Sequence, residues 1–108
     1  MFEQARVAWL ADIMDDRFPS FVVARQELDY RRELLVSDGP ARVIVQPVQV
    51  TTSTVRVHEQ LLSADGSLRT ESQAVLVRWN RERRCSMPFP AVERQRIQAQ
   101  LSAPVETI

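Results

Sequence analysis

Phe2-Glu3-Gln4-Ala5-Arg6-Val7-Ala8-Trp9-Leu10-Ala11-Asp12-Ile13, followed by Pro19 and then by residues of period two, decides the fold. Phe2, Ala5, Arg6, Trp9, Leu10 and Ile13 recur at the spacing of one helical face, while Glu3, Asp12 and Asp16 fall elsewhere. Only the aliphatic stem of Arg6 suits that apolar stripe. Asp15-Asp16 and Pro19 close the helix, because the residue before a proline is pushed out of the helical region. The other end has no visible start. The pattern is already running at Phe2 and no Ser, Thr, Asp or Asn precedes it, so the chain reads as beginning inside a helix.

From Ser20 onward the period is two. Ser20–Tyr30 predicts a strand with Val22, Ala24, Leu28 and Tyr30 on one face and Phe21, Val23, Arg25 and Glu27 on the other. Ser37-Asp38-Gly39-Pro40 is a turn. Ala41–Thr51 is a second strand, with Val43 and Val45 on one face and Val48 and Val50 on the other. The face changes at Pro47, which has no N–H for a ladder and so implies a bulge or an unpaired edge. Thr51-Thr52-Ser53 reverses the chain into a third strand, Thr54–Ser63, with Val55, Val57 and Leu61 on one face. Ala64-Asp65-Gly66-Ser67 is a hairpin signal, and Leu68–Trp79 is a longer strand in which Val75, Val77 and Trp79 alternate. Asn80–Ser86 is polar and basic, a loop or an exposed strand end. Pro88-Phe89-Pro90 introduces a last helix, about Pro90–Ser102, with Val92, Ile97 and Leu101 toward the sheet, and Ala103–Ile108 is expected to fray. The order predicts an α+β fold, a helix packed on a curled antiparallel sheet with a short C-terminal helix, in a single domain spanning 1–108.

The composition narrows the function. Fourteen Arg and no Lys stand against 14 Asp plus Glu, a net charge of zero. That balance excludes a strongly basic nucleic-acid footprint and gives no attraction to anionic membranes. The choice of Arg over Lys reads as codon bias, since the acids are interspersed with the arginines. Cys85 is alone, which excludes an intrachain disulfide and a cysteine-rich zinc site. No apolar run approaches the roughly 20 residues of a membrane span, and the first residues lack the apolar core of a signal peptide. The expectation is a soluble, cytoplasmic domain.

Side chains capable of chemistry are few. His58 is the single histidine, mid-strand and opposite Val55 and Val57, and reads as a surface or interface residue before a general base; one His cannot build a metal site. Cys85 lies beside Arg83 and Arg84, which favour a thiolate, but no histidine motif partners it. Glu3, Asp15 and Asp16 read as a solvated helix face, although Glu3 is close enough to the apolar stripe to reach a cleft between helix and sheet. Arg81-Glu82-Arg83-Arg84 is a solvated turn, with contact to a nucleotide phosphate as the alternative. A glycine-rich phosphate loop, a Gly-x-Ser-x-Gly elbow and strand-borne RNA-stacking aromatics are all missing from the sequence.

Taken in order, several segments carry a resemblance. Phe2-Glu3-Gln4-Ala5-Arg6, followed by Trp9-Leu10, resembles the central-helix run of the hotdog-fold thioesterases of the 4-hydroxybenzoyl-CoA thioesterase type. Asp29-Tyr30-Arg31-Arg32-Glu33-Leu34 is similar to that family's Asp-Tyr-x-x-Pro-Leu segment, with Glu33 in place of the proline. Val50-Thr51-Thr52-Ser53-Thr54-Val55 sits at its Val-Gly-x-Ser-Ser-Phe position, and Ala64-Asp65-Gly66, Val75-Leu76-Val77 and Pro88-Phe89-Pro90 follow in the family's order. The resemblance covers nearly the whole chain and implies hydrolysis of thioesters of CoA or of a carrier protein, with no cofactor.

It also implies a segment ahead of the helix, a strand and an Asp-x-x-Gly-His-x-Asn-Asn run, which supplies the catalytic aspartate. No residue of this sequence matches that aspartate, and Glu3 does not stand at its position. The catalytic residue is therefore unknown, and the recorded start is expected to be late. The alternatives are a catalytically inactive subunit that binds acyl-CoA or serves as a dimerisation module, and a degenerate gene fragment. The family's dimers join sheets edge to edge, so Ser20–Tyr30 would pair with its mate in a homodimer or tetramer. On the same resemblance Tyr30 would line the substrate tunnel, and Ser53 and Thr54 would contact pantetheine or CoA, the bland reading being a polar turn. The Ala41–Thr51 edge would lie open, with Pro47 guarding it against aggregation.

Overall fold

The computed structural model describes residues 2–30 and 39–102. The Tyr30 side chain, Ser37-Asp38 and the tail 103–108 lie outside the described residues. The elements run α1 (Phe2–Met14), β1 (Phe21–Tyr30), β2 (Arg42–Val50), β3 (Thr54–Leu62), β4 (Leu68–Asn80), β5 (Cys85–Ser86) and α2 (Ala91–Ser102). All strand pairs are antiparallel, in the order β1-β4-β3-β2, with β5 on the end of β4. The α+β arrangement follows the sequence order, and none of the described helices is long and apolar enough to cross a membrane.

The core sits on one face of the sheet. On β3 the buried residues are Val55, Val57, Glu59 and Leu61, at the period of two that a one-sided sheet requires. On β4 they include Thr70, Ser72, Ala74 and Leu76, paired across to the β3 row. Leu10, Ile13 and Met14 of α1, together with Phe89 and Ile97, close over Val55, Val57, Ala74 and Leu76. Each fully buried aliphatic side chain contributes roughly 1.5–3 kcal/mol.

α1 ends in a Schellman motif. Asp15 adopts φ 50°, and Asp16 N–H donates to the Ala11 carbonyl at 3.1 Å. The Asp16 carboxylate then accepts from Phe18 N–H at 2.9 Å, turning the chain toward the sheet. In the β3–β4 hairpin Gly66 takes φ 85°, which a side chain would resist.

Three expectations about facing are corrected. In β1 the register shifts between Val23 and Arg25, so Ala24 is extra and one alternation cannot describe the whole strand; Phe21 packs against the core. In β2 the shift between Pro47 and Gln49 is the bulge that the proline implied. Its extra residue is Val48, 55% exposed, and Val50 returns to the core beside Val45 rather than lying opposite it. In α2, Val92 is 52% exposed and Glu93 takes the inward place, because Arg78 on β4 receives its carboxylate; Ile97 is fully buried, as expected. The polar Asn80–Ser86 stretch is a tight turn over 81–84, with Arg84 at φ 53°, leading into β5.

Candidate functional site

Among the described residues, two of the regions that bring polar side chains together bear on a candidate site. The first is the end of the sheet where β3 begins and β4 finishes. Thr54 and Thr51 share a hydroxyl hydrogen bond of 2.6 Å, Thr51 N–H donates to the Thr54 carbonyl at 2.8 Å, and Thr54 N–H donates to Thr51 Oγ1 at 3.2 Å. The half-buried Ser53 gives its carbonyl to Arg78 N–H at 2.8 Å. Phe89 N–H donates to the Thr52 carbonyl at 2.8 Å, and Arg94 Nη1 donates to that of Thr51 at 2.9 Å. The turn carrying Ser53 and Thr54 is thus clamped to the start of α2.

Arginines cluster around it. Arg78 Nε and Nη2 donate to the two carboxylate oxygens of Glu93 at 2.9 and 3.3 Å, and its Nη1 donates to the Ser20 carbonyl at 3.3 Å. Arg81 Nη2 donates to the Phe18 carbonyl at 2.9 Å, so this member of the basic turn fastens the chain leaving α1. Arg83, Arg84 and Cys85 are exposed. Asp65, in the hairpin at the opposite end of β3, is held by the hydroxyls of Ser63 and Ser67 and by Ser67 N–H. Those hydrogen bonds, Ser63 first, stabilise its carboxylate and lower its pKa well below the usual range.

The second region is a groove between the first turns of α1 and β1, about 420 Å³, lined by Phe2, Glu3, Arg6, Val7, Phe21, Val23 and Gln26. Arg6 is only 4% exposed, and its Nε and Nη2 donate to Oε2 and Oε1 of Glu59 at 2.5 and 2.7 Å. Glu59 is 0% exposed. Arg6, of which only the stem suits an apolar stripe, is buried entire, with its charge matched by a bidentate carboxylate. Sequence reading missed Glu59, yet the signal was there: it continues the Val55, Val57, Leu61 series on the core face.

His58 lies on the other face of the sheet, half-buried, with Nε2 3.9 Å from a Glu71 carboxylate oxygen. It lines an open cleft of about 500 Å³ with Pro47, Val48, Arg56, Gln100 and Leu101 among others. Among the described residues, no group of three or more His, Cys, Asp or Glu side chains could hold a metal ion. The structure does not bring His58, Cys85 and Glu3 together. Glu3 is exposed, in line with a solvated helix face, and it also lines the open α1–β1 groove.

No family model matches the sequence, and no curated protein is similar to it by sequence search. Solved structures are similar. A thioesterase from Thermus thermophilus, crystallised with coenzyme A and zinc, shares 28% identity with a TM-score of 0.77 over 95% of this chain and 76% of its own. The fold is a thioesterase fold. A candidate thioesterase from Pseudomonas putida superposes with a TM-score of 0.84 at 17% identity, covering 99% of this chain and 71% of that one. A Staphylococcus aureus protein solved in complex with CoA gives 0.78 at 15% identity, covering 93% and 66%. At such identities the last two speak for the fold alone.

Proposed function

We propose that this chain is a hotdog-type acyl-CoA thioesterase, of the 4-hydroxybenzoyl-CoA thioesterase type, acting in the cytoplasm on thioesters of CoA or of a carrier protein. The observation that carries this is the 28% identity and matching fold, over 95% of the chain, with a thioesterase solved with coenzyme A. β1 is at one end of the strand order and is the edge through which a homodimer forms, with tetramers built from such dimers. Phe2, Val7, Phe21 and Val23 give the groove beside that edge apolar walls suited to an acyl chain, and the resemblance adds Tyr30 to the substrate tunnel. Ser53 and Thr54 meet the pantetheine or CoA, whose phosphates are favoured by the guanidinium groups beside that turn.

The nucleophile or base belongs to the segment that the resemblance puts ahead of the helix, where a carboxylate activates water and helix amides stabilise the oxyanion. Acyl-CoAs of increasing chain length, offered to residues 1–108 and to the chain extended by its upstream coding sequence, test this. The expected result is an in-frame Asp and Gly-His-x-Asn run upstream and hydrolysis by the extended protein. CoA binding without turnover by either form would establish the inactive subunit instead, and neither binding nor turnover would overturn the reading.

A further inference from the structure

We infer that the Arg6–Glu59 pair is a register lock, which fixes where α1 sits along the sheet and thereby the shape of the α1–β1 groove. The groove's role in binding an acyl chain rests on the function proposed above; the lock itself does not. The other buried contacts of α1 with the sheet are those of Leu10, Ile13 and Met14, side chains that pack without strong directional preference. A slip of one helical turn moves a helix by about 5.4 Å, and apolar surfaces of this kind tolerate repacking. The bidentate pair does not tolerate it. Its two hydrogen bonds, 2.5 and 2.7 Å, form at one axial position only, and anywhere else both charges would be stranded in the core. Arg6 lines the groove and Glu59 is in the centre of β3, so the lock ties the wall of the groove directly to the middle of the sheet.

Burial makes the pair a poor source of stability. Two charges taken out of water cost several kcal/mol each in desolvation, and well-packed apolar residues of similar volume commonly replace such pairs without loss. A positional role explains both why the charges are buried and why they face each other across helix and strand.

The test compares Arg6→Met/Glu59→Leu with the wild type, using the indole N–H resonance of Trp9. Trp9 is on α1, and its Nε1 donates to Gln100 on α2 at 2.9 Å, so its signal reports the helix position. The double variant is expected to melt within a few degrees of wild type while the single Trp9 resonance splits or broadens, and amide exchange over residues 3–8 rises at least tenfold. If the extended protein hydrolyses acyl-CoAs, its chain-length preference should flatten as well. Failure of hydrolysis in the wild type would overturn the functional reading and leave the spectroscopic test standing. One sharp, unshifted Trp9 resonance in a stable double variant would overturn the lock and reduce the pair to ordinary packing. Arg6→Lys supplies the second variant: it keeps the charge but cannot make the two parallel bonds, so it should fold and show the same splitting. Wild-type behaviour of Arg6→Lys would also overturn the inference.

Discussion

Among the described residues, two Arg–Glu pairs that join a helix to the sheet differ in instructive ways. In one the arginine is on the helix, Arg6 of α1, and the carboxylate on a strand, Glu59 of β3; in the other Arg78 is on β4 and Glu93 on α2. The side chains of the first are 5% and 0% exposed, those of the second 15% and 8%. The Arg6 bonds are 2.5 and 2.7 Å, whereas Arg78 spreads its donors between Glu93 at 2.9 and 3.3 Å and the Ser20 carbonyl at 3.3 Å. The deep pair is a closed two-body contact, so removing one partner leaves a buried charge with nothing to meet it. The shallower pair belongs to a network near water, which can absorb a loss.

Glu59→Leu, leaving Arg6 buried and unmatched, should show the largest effect: a loss of about 3–5 kcal/mol in urea unfolding. Glu93→Gln should cost about 1.5 kcal/mol, because the amide still accepts one bond and water reaches the guanidinium. Equal losses for the two variants would show that depth of burial is not what separates the pairs. A third carboxylate, Asp65, is held by hydroxyls rather than by a bidentate guanidinium. Its pKa is lowered on folding, so its contribution is present above its unfolded value of about 3.9 and fades as the pH falls below that. Asp65→Asn should therefore melt below wild type at neutral pH, with the gap narrowing between about pH 4 and pH 2. A gap independent of pH would remove that carboxylate from the comparison. The smallest effect is expected at Val48, already exposed at the bulge: Val48→Thr should change stability by less than about 0.5 kcal/mol.

The same contrast explains what could be read from the sequence. Element order and type were legible because periodicity follows from one-sided burial, as at Val55 and Val57 or at Leu10 and Ile13. Pro47 announced its bulge, since a missing N–H is a local fact. The Ala24 bulge had no such marker and moved the face of half a strand. Arg6 and Glu59 each occupied core-face positions, but a charge on an apolar stripe is ambiguous until its partner, 53 residues away, is known to face it. Val92 and Glu93 exchanged roles for the same reason, Arg78 being 15 residues distant from Glu93. The reversal at Thr51-Thr52-Ser53 ahead of the strand beginning at Thr54 was legible, whereas its attachment to α2 through Phe89 and Arg94 depends on tertiary contacts.

The end of α1 carries a consequence for synthesis. No basic residue occupies its last turn; instead Arg96 of α2 donates Nη1 to the Ile13 carbonyl at 2.8 Å. Trp9 is likewise held by Gln100. α1 thus receives part of its C-terminal capping from α2, a helix synthesised after it. While α2 is still unmade, α1 can lay its apolar stripe on the growing sheet, but its Ile13 carbonyl lacks this donor, so the C-terminal end of α1 is secured only after α2 has been synthesised.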